Sequence, residues 1–324
     1  MEANKAILKV RNLNTYFFTR RGIVKAVDGI SFDLNQGETL CIVGESGCGK
    51  TVTALSILRL VESPPGKIVN GEILYHGEDL LRCSGERLRK IRGNKIAMVF
   101  QDPLSSLNPV LPIGEQITEQ IKLHLGLSGK QAADRAISLM KQLGIPSAEK
   151  RIHDFPHQLS SGMKQRAMVA MSLSCDPEIL IADEPTTAVD VTIKAQILDI
   201  FRDLKKTRHM SIIFITHDFG VVAEVAERIL VMYGGRLVEA GTTLDIFDDP
   251  RHPYTVGLMN CLPDISTTKD RLNPIPGTIP SLIESPEGCI FHPRCDQVMR
   301  ICREEKPAEV AISETHSVAC HLFK

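Results

Sequence analysis

No stretch of this chain approaches the ~18 consecutive apolar residues that a membrane-spanning helix requires, so no bilayer-crossing helix is expected. The opening residues, MEANKAILKVRNL, have no apolar core of the length an export signal needs. Neither sign of charge is in excess: 38 Lys and Arg stand against 39 Asp and Glu, which removes the electrostatic footprint of a nucleic-acid partner or a basic membrane anchor. Tandem repeats and low-complexity tracts are missing as well. A disulfide framework is not expected, because the nine cysteines are odd in number and most are far apart. The expectation is a soluble, cytosolic chain; its 324 residues, 43% of them hydrophobic, are enough for a full core and for more than one compact unit.

Strand and helix signals run throughout. ILKVRNL and ISFDL alternate apolar and polar residues, as half-buried strands do. TLCIVG and KIAMVFQ are short, nearly continuous apolar runs of the kind covered on both faces. KTVTALSILRLV has helical spacing and ends before the turn ESPPG, and NGEILYHG places Asn70-Gly71 before a further strand. From about residue 103 to 177 the character changes: GEQITEQIKLHLGL, GKQAADRAISLMKQLGI and SGMKQRAMVAMSLSC all repeat apolar positions at helical spacing. Strands return in ILIADEP and SIIFITHD, and RILVMYGGRLVEAG reads as a hairpin about Gly234-Gly235. A block of helices thus interrupts a strand–helix alternation, the pattern of an α/β core with a helical insert.

GESGCGKT, residues 44–51, fits G-x-x-x-x-G-K-[ST], with a strand before it and a helix after. Several backbone N–H groups must curl inward toward phosphate oxygens, and side chains would block that approach. Gly44, Gly47 and Gly49 keep the backbone accessible. The helix that follows adds the positive end of its dipole. Lys50 is placed to reach the β- and γ-phosphates, and the Thr51 hydroxyl to face Mg²⁺. The nucleotide-binding set expected here is Gly44, Glu45, Ser46, Gly47, Cys48, Gly49, Lys50, Thr51 and Val52. In ILIADEP an apolar strand ends in two acids, and a carboxylate at the end of a parallel strand faces the ligand crevice. Asp183 would hold Mg²⁺ through water, and Glu184 would orient or deprotonate the attacking water. A helix N-cap would explain one of these acids, but less easily two beside the crevice. These pieces say nucleoside triphosphate and Mg²⁺, and leave many ATPases and kinases open.

A third piece narrows the field. LSSGMKQR, residues 159–166, opens a helix ahead of ILIADEP and resembles the signature motif of the ABC transporter ATPases, usually LSGGQ followed by basic residues. Further elements follow in the family's order. Gln101 in VFQDP resembles the glutamine loop, TTAVD ending at Asp190 the D-loop, and His217 in FITHD the switch histidine. Among Tyr16, Phe17 and Phe18, the spacing from Asn12 favours Phe17 as the stacking partner of adenine. Taken alone, each has a plainer reading as a turn, capping or core residue; the ordered set does not. The resemblance covers about residues 7–250. It departs from the usual signature at Ser161, where a second glycine is common, and at Met163, where glutamine is common; methionine there is frequent in the peptide-importer branch.

The resemblance implies an α/β fold: a P-loop ABC-type ATPase core with an antiparallel β subdomain, an inserted helical subdomain at about 103–177 and a loop-rich C-terminal extension. It implies a core domain over 1–250 and an extension over 251–324. Catalysis would fall to Glu184, His217 and Gln101, with Gln101 also beside Mg²⁺ together with Thr51 and Asp183. In this family one chain's phosphate loop and a facing chain's signature enclose each ATP, so Ser160, Ser161, Gly162 and Met163 would act in trans. The implied partners are a second ATPase subunit, expected as a paralogue, two membrane permease subunits and, through the complex, an extracytoplasmic solute-binding protein. The implied location is the cytoplasmic face of the membrane. Apolar residues of DPLSSLNPVLPIGEQI are candidate permease contacts or ordinary internal packing.

The tail poses a separate question. HPYT, FHPRC and the trailing C…C resemble the C-terminal extension of the oligopeptide/dipeptide-type importer ATPases, a branch that also includes nickel importers. NPIPGTIPSLIESPEG reads as an irregular, tightly turned segment. Cys289, Cys295, Cys302 and Cys320 follow as C-x5-C-x6-C-x17-C, without the C-x2-C pairs usual in zinc ribbons. That wide spacing suits a [4Fe–4S] cluster, each corner held by one thiolate; zinc, with His292, His316 or His321 replacing a ligand, and free thiols stay open. The expected function is ATP-driven import of di- or oligopeptides. Nickel import and a soluble role in iron–sulfur assembly are the alternatives, while a chromosome-type ATPase would need long coiled coils that are not present.

Overall fold

The computed structural model describes residues 5–102, 106–186, 191–261, 275–278, 280–283 and 285–323. Asp190 of the expected D-loop, Pro103–Ser105 and part of the proline-rich tail segment lie outside them. In chain order the elements are β1 (Ala6–Thr19), β2 (Gly22–Asn35), β3 (Thr39–Val43), α1 (Lys50–Ile57), β4 (Gly66–Tyr75), β5 (Glu78–Asp79), α2 (Gly85–Ile91) and β6 (Ile96–Val99). The helical stretch follows as α3 (Ile113–Leu125), α4 (Gly129–Gln142), α5 (Ala148–Arg151) and α6 (Ser161–Leu173). Then come β7 (Ile179–Asp183), α7 (Val191–Arg208), β8 (Ser211–Thr216), α8 (Phe219–Val225), β9 (Arg228–Tyr233), β10 (Arg236–Thr242) and α9 (Thr243–Asp248). The tail adds α10 (Pro253–Asn260), α11 (Ile301–Glu304), β11 (Val310–Ala311) and β12 (Ser317–Val318). Among the described residues no helix is long and apolar enough to cross a membrane.

The chain divides into two compact units. The first takes Ala6–Leu34, Thr39–Leu81 and Thr216–Lys324. It holds a four-stranded sheet in the order β2-β1-β4-β5, with β4 antiparallel to both β1 and β5. It also holds the strand run β11-β12-β10-β9-β3. There β3 and β9 are parallel, and the β9–β10 hairpin turns at Gly234-Gly235 with Arg236 opposite Tyr233, where the apolar runs required it. The tail strand β12 pairs antiparallel with β10, placing Val318 opposite Glu239. Asn70-Gly71, expected before a strand, lies inside β4 where its register with β1 is irregular.

The second unit takes Met1–Lys5, Asn35–Glu38 and Arg82–Ile215. Its strands β6, β7 and β8 run parallel, Ile96 facing Ile179 and Ile179 facing Ser211. Every residue of β6 and β7 is buried, as apolar runs covered on both faces must be. Helices α3 and α4 carry the 3.6-residue periodicity seen in the sequence, whereas α6 is buried on nearly all sides; Ser172 on α6 donates to Met98 O at 2.8 Å, fixing the helix on β6. The segment around residue 110 is split: Leu107, Ile113 and Ile117 are core, while Val110 is 73% exposed.

Candidate functional site

In the first unit the run of buried β3 residues ends at Val43, and the chain turns through the glycine loop into α1. Gly44 and Gly49 have φ of +151° and +106°, and a Cβ at either would stand 2.2 Å from a backbone oxygen, of Met232 and Ala26 respectively. No other residue fits, so these positions dictate the curl of the loop. Gly49 caps α1 without a side-chain bond, leaving the first-turn N–H groups of the helix to a ligand. Lys50 is only 6% exposed, and its Nζ donates to Gly44 O at 2.7 Å and Glu45 O at 3.1 Å. Ser46 and Gly47 are exposed, Thr51 and Val52 half-buried, and burial pushes the Cys48 thiol up. A glycine-shaped loop with exposed Ser46 and Gly47 beside a buried lysine suits a polyanion.

In the second unit β7 delivers Asp183, 1% exposed, and then the chain bends sharply. Glu184 has φ of +46°, a left-handed conformation that a glutamate adopts only at a cost of order 1 kcal/mol. Its N–H is held by Ile215 O at 2.8 Å. The bend turns the carboxylate to Gln101, whose Nε2 donates to Glu184 Oε2 at 2.9 Å. Two residues 83 positions apart, singled out separately in the sequence, are thus brought into contact.

The signature segment starts α6. Ser160 is its N-cap and accepts from Met163 N at 3.4 Å; Ser160 and Ser161 are exposed, Gly162 is buried and Met163 half-buried. Sequence reasoning missed Gln165. It is buried, and its Nε2 donates to Pro185 O at 2.6 Å, so the signature helix grips the turn that carries Glu184. Back in the first unit, Tyr16 is committed to Asp28 (2.8 Å), with its pKa raised to about 12 by burial and that bond. Phe17 is half-buried against Gly66, and Phe18 is exposed. His217 is exposed just before Asp218, which caps α8.

Residues 27–187 match the family described as ABC transporter, and residues 238–302 match the oligopeptide/dipeptide transporter C-terminal region. The chain is 48% identical over 316 residues to the dipeptide transport ATP-binding protein DppD of Bacillus subtilis, covering 98% of this chain and 94% of that one. It is 49% identical to the oligopeptide transport ATP-binding protein OppD of the same organism, covering 98% and 89%. The chain belongs to the ABC transporter ATP-binding proteins. Among solved structures, a dimeric post-hydrolysis ATP-binding cassette bound to ADP and Pi superposes with a TM-score of 0.66 at 26% identity, over 72% of this chain and 98% of that one. The cbiO1 subunit of Clostridium perfringens does so with a TM-score of 0.62 at 27% identity, over 75% and 91%. The fold is that of an ABC ATPase, and the chain is an ATP-hydrolysing transport ATPase.

The tail of this ABC ATPase packs on β9 and β10 through an aromatic cluster, Tyr233, Tyr254 and Phe291, with ring centroids 4.6–5.4 Å apart. Buried Glu239 on β10 accepts from Arg251 N, His252 N and His316 Nε2 at 2.6–2.9 Å. His316 is therefore engaged away from the cysteines, His292 Nδ1 bonds Cys289 O, and His321 Nε2 bonds Glu305 O. Cys289, Cys302 and Cys320 are buried and Cys295 half-buried, and all four thiols lie within electrostatic reach of one another. Burial pushes the Cys289, Cys295 and Cys320 thiols up, Cys320 to about 11. Among the described residues, however, no three His, Cys, Asp or Glu side chains are grouped so as to hold a metal ion. The metal site expected from the sequence is not formed as a ligand shell among the described residues: His292, His316 and His321 bond elsewhere.

Proposed function

We propose that this ABC ATPase powers the import of dipeptides or oligopeptides, as one of two ATPase subunits on the cytoplasmic face of a membrane permease pair served by an extracytoplasmic binding protein. Its relatives are named for dipeptide and oligopeptide transport, which favours peptides over nickel and over soluble iron–sulfur assembly. The contact that carries the catalytic half of this reading is Gln101 on Glu184. Lys50 leaves the loop carbonyls for the β- and γ-phosphates, and the loop amides hold the phosphate oxygens. Thr51, Gln101 and Asp183 offer oxygen donors that suit Mg²⁺. Mg²⁺ held by such donors would supply positive charge that offsets the charge of the phosphates. Glu184 takes a proton from the water that attacks the γ-phosphorus, the bond to the bridging oxygen breaks, and ADP leaves. His217 steadies the γ-phosphate, and Phe17 stacks on adenine. Ser160, Ser161, Gly162 and Met163 meet the nucleotide of a facing chain, as the exposed start of α6 allows.

The test is purification of the complex from its membrane, identification of its subunits, and uptake into vesicles. Peptide uptake that requires ATP supports the reading. Nickel uptake without peptide uptake would replace the substrate, and soluble scaffold partners without a permease would replace the function.

A second reading concerns the thiols. The C-x5-C-x6-C-x17-C spacing lacks the C-x2-C pairs usual in zinc ribbons and suits a [4Fe–4S] cluster, in which each thiolate binds its own iron. Anaerobically purified protein should then be brown, with about four irons per chain. Cys302→Ser should lower iron content and make the tail protease-sensitive, and Cys83→Ser should do neither. Colourless, iron-free protein with an equally resistant tail would end this reading.

A further inference from the structure

Glu45 is an awkward residue for a phosphate loop. Its carboxylate sits between Gly44 and Ser46, in a segment whose amides are arranged for a polyanion, and an uncompensated acid there would oppose binding. The structure compensates it from the far end of the chain. Arg294, in the short turn His292–Arg294 just before Cys295, donates from both terminal nitrogens to the Glu45 carboxylate, at 2.6 and 3.2 Å. The Arg294 side chain is only 4% exposed. Its remaining donors are committed too: Nε to Pro276 O at 2.9 Å, and the terminal nitrogens also to Ile275 O and the Tyr233 hydroxyl. A fully bonded guanidinium has one orientation, so it holds Glu45 rather than merely neighbouring it. A second tail residue works on the same point: the Tyr254 hydroxyl accepts from Glu45 N at 2.8 Å. At the backbone carbonyl, Glu45 O accepts from Lys50 Nζ at 3.1 Å.

We propose that Arg294 is a positioning residue for the nucleotide site: it cancels the Glu45 charge and fixes the loop from which Lys50 is released, so the C-terminal segment is part of the phosphate-binding machinery. The inference rests on residues 44–51 being the phosphate loop. Tyr254 fixes the N–H side of Glu45, and Arg294 fixes its side chain. Only the second contact has an electrostatic component that a salt series and a charge-restoring variant can isolate.

The experiment is a binding isotherm for ATP on the full-length chain, with KM and kcat for ATP in the assembled transporter. Arg294→Ala is expected to weaken ATP binding about tenfold, with KM rising and kcat little changed. The loss should shrink as salt is raised. Arg294→Lys should keep most of the affinity, and the double variant Arg294→Ala/Glu45→Gln should regain most of it. Unchanged binding by Arg294→Ala overturns the inference. So does a double variant as weak as Arg294→Ala, since the defect would then be local packing. If Arg294→Ala fails to fold, Arg294→Lys and Arg294→Gln answer in its place: binding kept by lysine and lost by glutamine supports the clamp, and equal binding by the two overturns it. Lys50→Ala separates the two readings. If it leaves binding intact, the phosphate loop itself falls; if it abolishes binding while Arg294→Ala does not affect it, only the clamp falls.

Discussion

Lys50 in the first unit and the start of α6 in the second are presented in opposite ways. In the first, Lys50 is buried, and its loop is fixed by glycine geometry and by bonds from the tail. In the second, Gln101, Ser160 and Ser161 are exposed; one side-chain bond joins Gln101 to Glu184, and one cap bond orders Ser160. The difference fits two kinds of work. A polyanion is bound tightly only by donors that are oriented beforehand, because ordering them on binding would cost affinity. Groups that serve a water molecule, or a facing chain, must stay accessible. The glycine loop is thus preformed, while Gln101 and the start of α6 are displayed.

The sharpest way to break this contrast is at Glu184. Glu184→Gln keeps the shape and removes the basicity, so ATP binding should persist while turnover in the assembled transporter falls of order 10²-fold or more. Near-normal turnover would mean that Glu184 is not where the proton goes. Gln101→Ala should cost less, since it removes a donor to Glu184 Oε2 and leaves the acid itself.

How much of this was legible follows from sequence distance. The phosphate loop is contiguous, so its backbone geometry is written in the positions of Gly44 and Gly49. The β9–β10 hairpin was legible for the same reason, two glycines between apolar runs. The end of α1 was not. The helical pattern runs on to Val61, yet the helix stops at Ile57, because Arg59 turns left-handed at φ +51° and Leu60 N bonds back to Leu55 O at 2.7 Å. That closure is usually signalled by glycine, and here an arginine takes it. The left-handed Glu184 carried no glycine either. Arg294 reaches Glu45 across 249 residues and Gln165 reaches Pro185 across 20, and no local pattern encodes such contacts. The cysteine spacing was readable as a set, but the burial of three of the thiols and the other engagements of the histidines come from tertiary packing.

A smaller effect probes the buried unit through pH. His252 is 1% exposed, caps α10 by accepting from Tyr254 N at 3.0 Å, and lies 5.6 Å from the Phe291 ring. Burial lowers its pKa from 6.5 to about 3. The unfolded chain therefore takes up a proton near pH 6.5 that the folded chain refuses until about pH 3, and stability falls as pH drops through that window. Between pH 7.5 and 5.0 the loss from this residue is about 2 kcal/mol. Denaturant melts at the two pH values should show it, and His252→Asn, which keeps a cap but cannot charge, should remove that part of the difference. An unaltered pH dependence in the variant would show that other groups control the acid sensitivity.

The smallest effect separates structure from display at the signature helix. Ser160 caps α6 through a long bond, 3.4 Å to Met163 N, and Ser84 caps α2 through Arg87 N at 3.2 Å. Replacing either by alanine should cost about 0.5–1 kcal/mol of stability, because each loses one acceptor for a first-turn amide. If Ser160 only caps, the two variants should then behave alike in every assay. If it also meets a nucleotide on a facing chain, Ser160→Ala alone should lower ATPase activity in the assembled transporter and weaken ATP-dependent pairing of the subunits. Ser84→Ala serves as the measure of what a lost cap does by itself. Equal activity in both variants would assign Ser160 to the helix and leave phosphate contact to the backbone at Gly162.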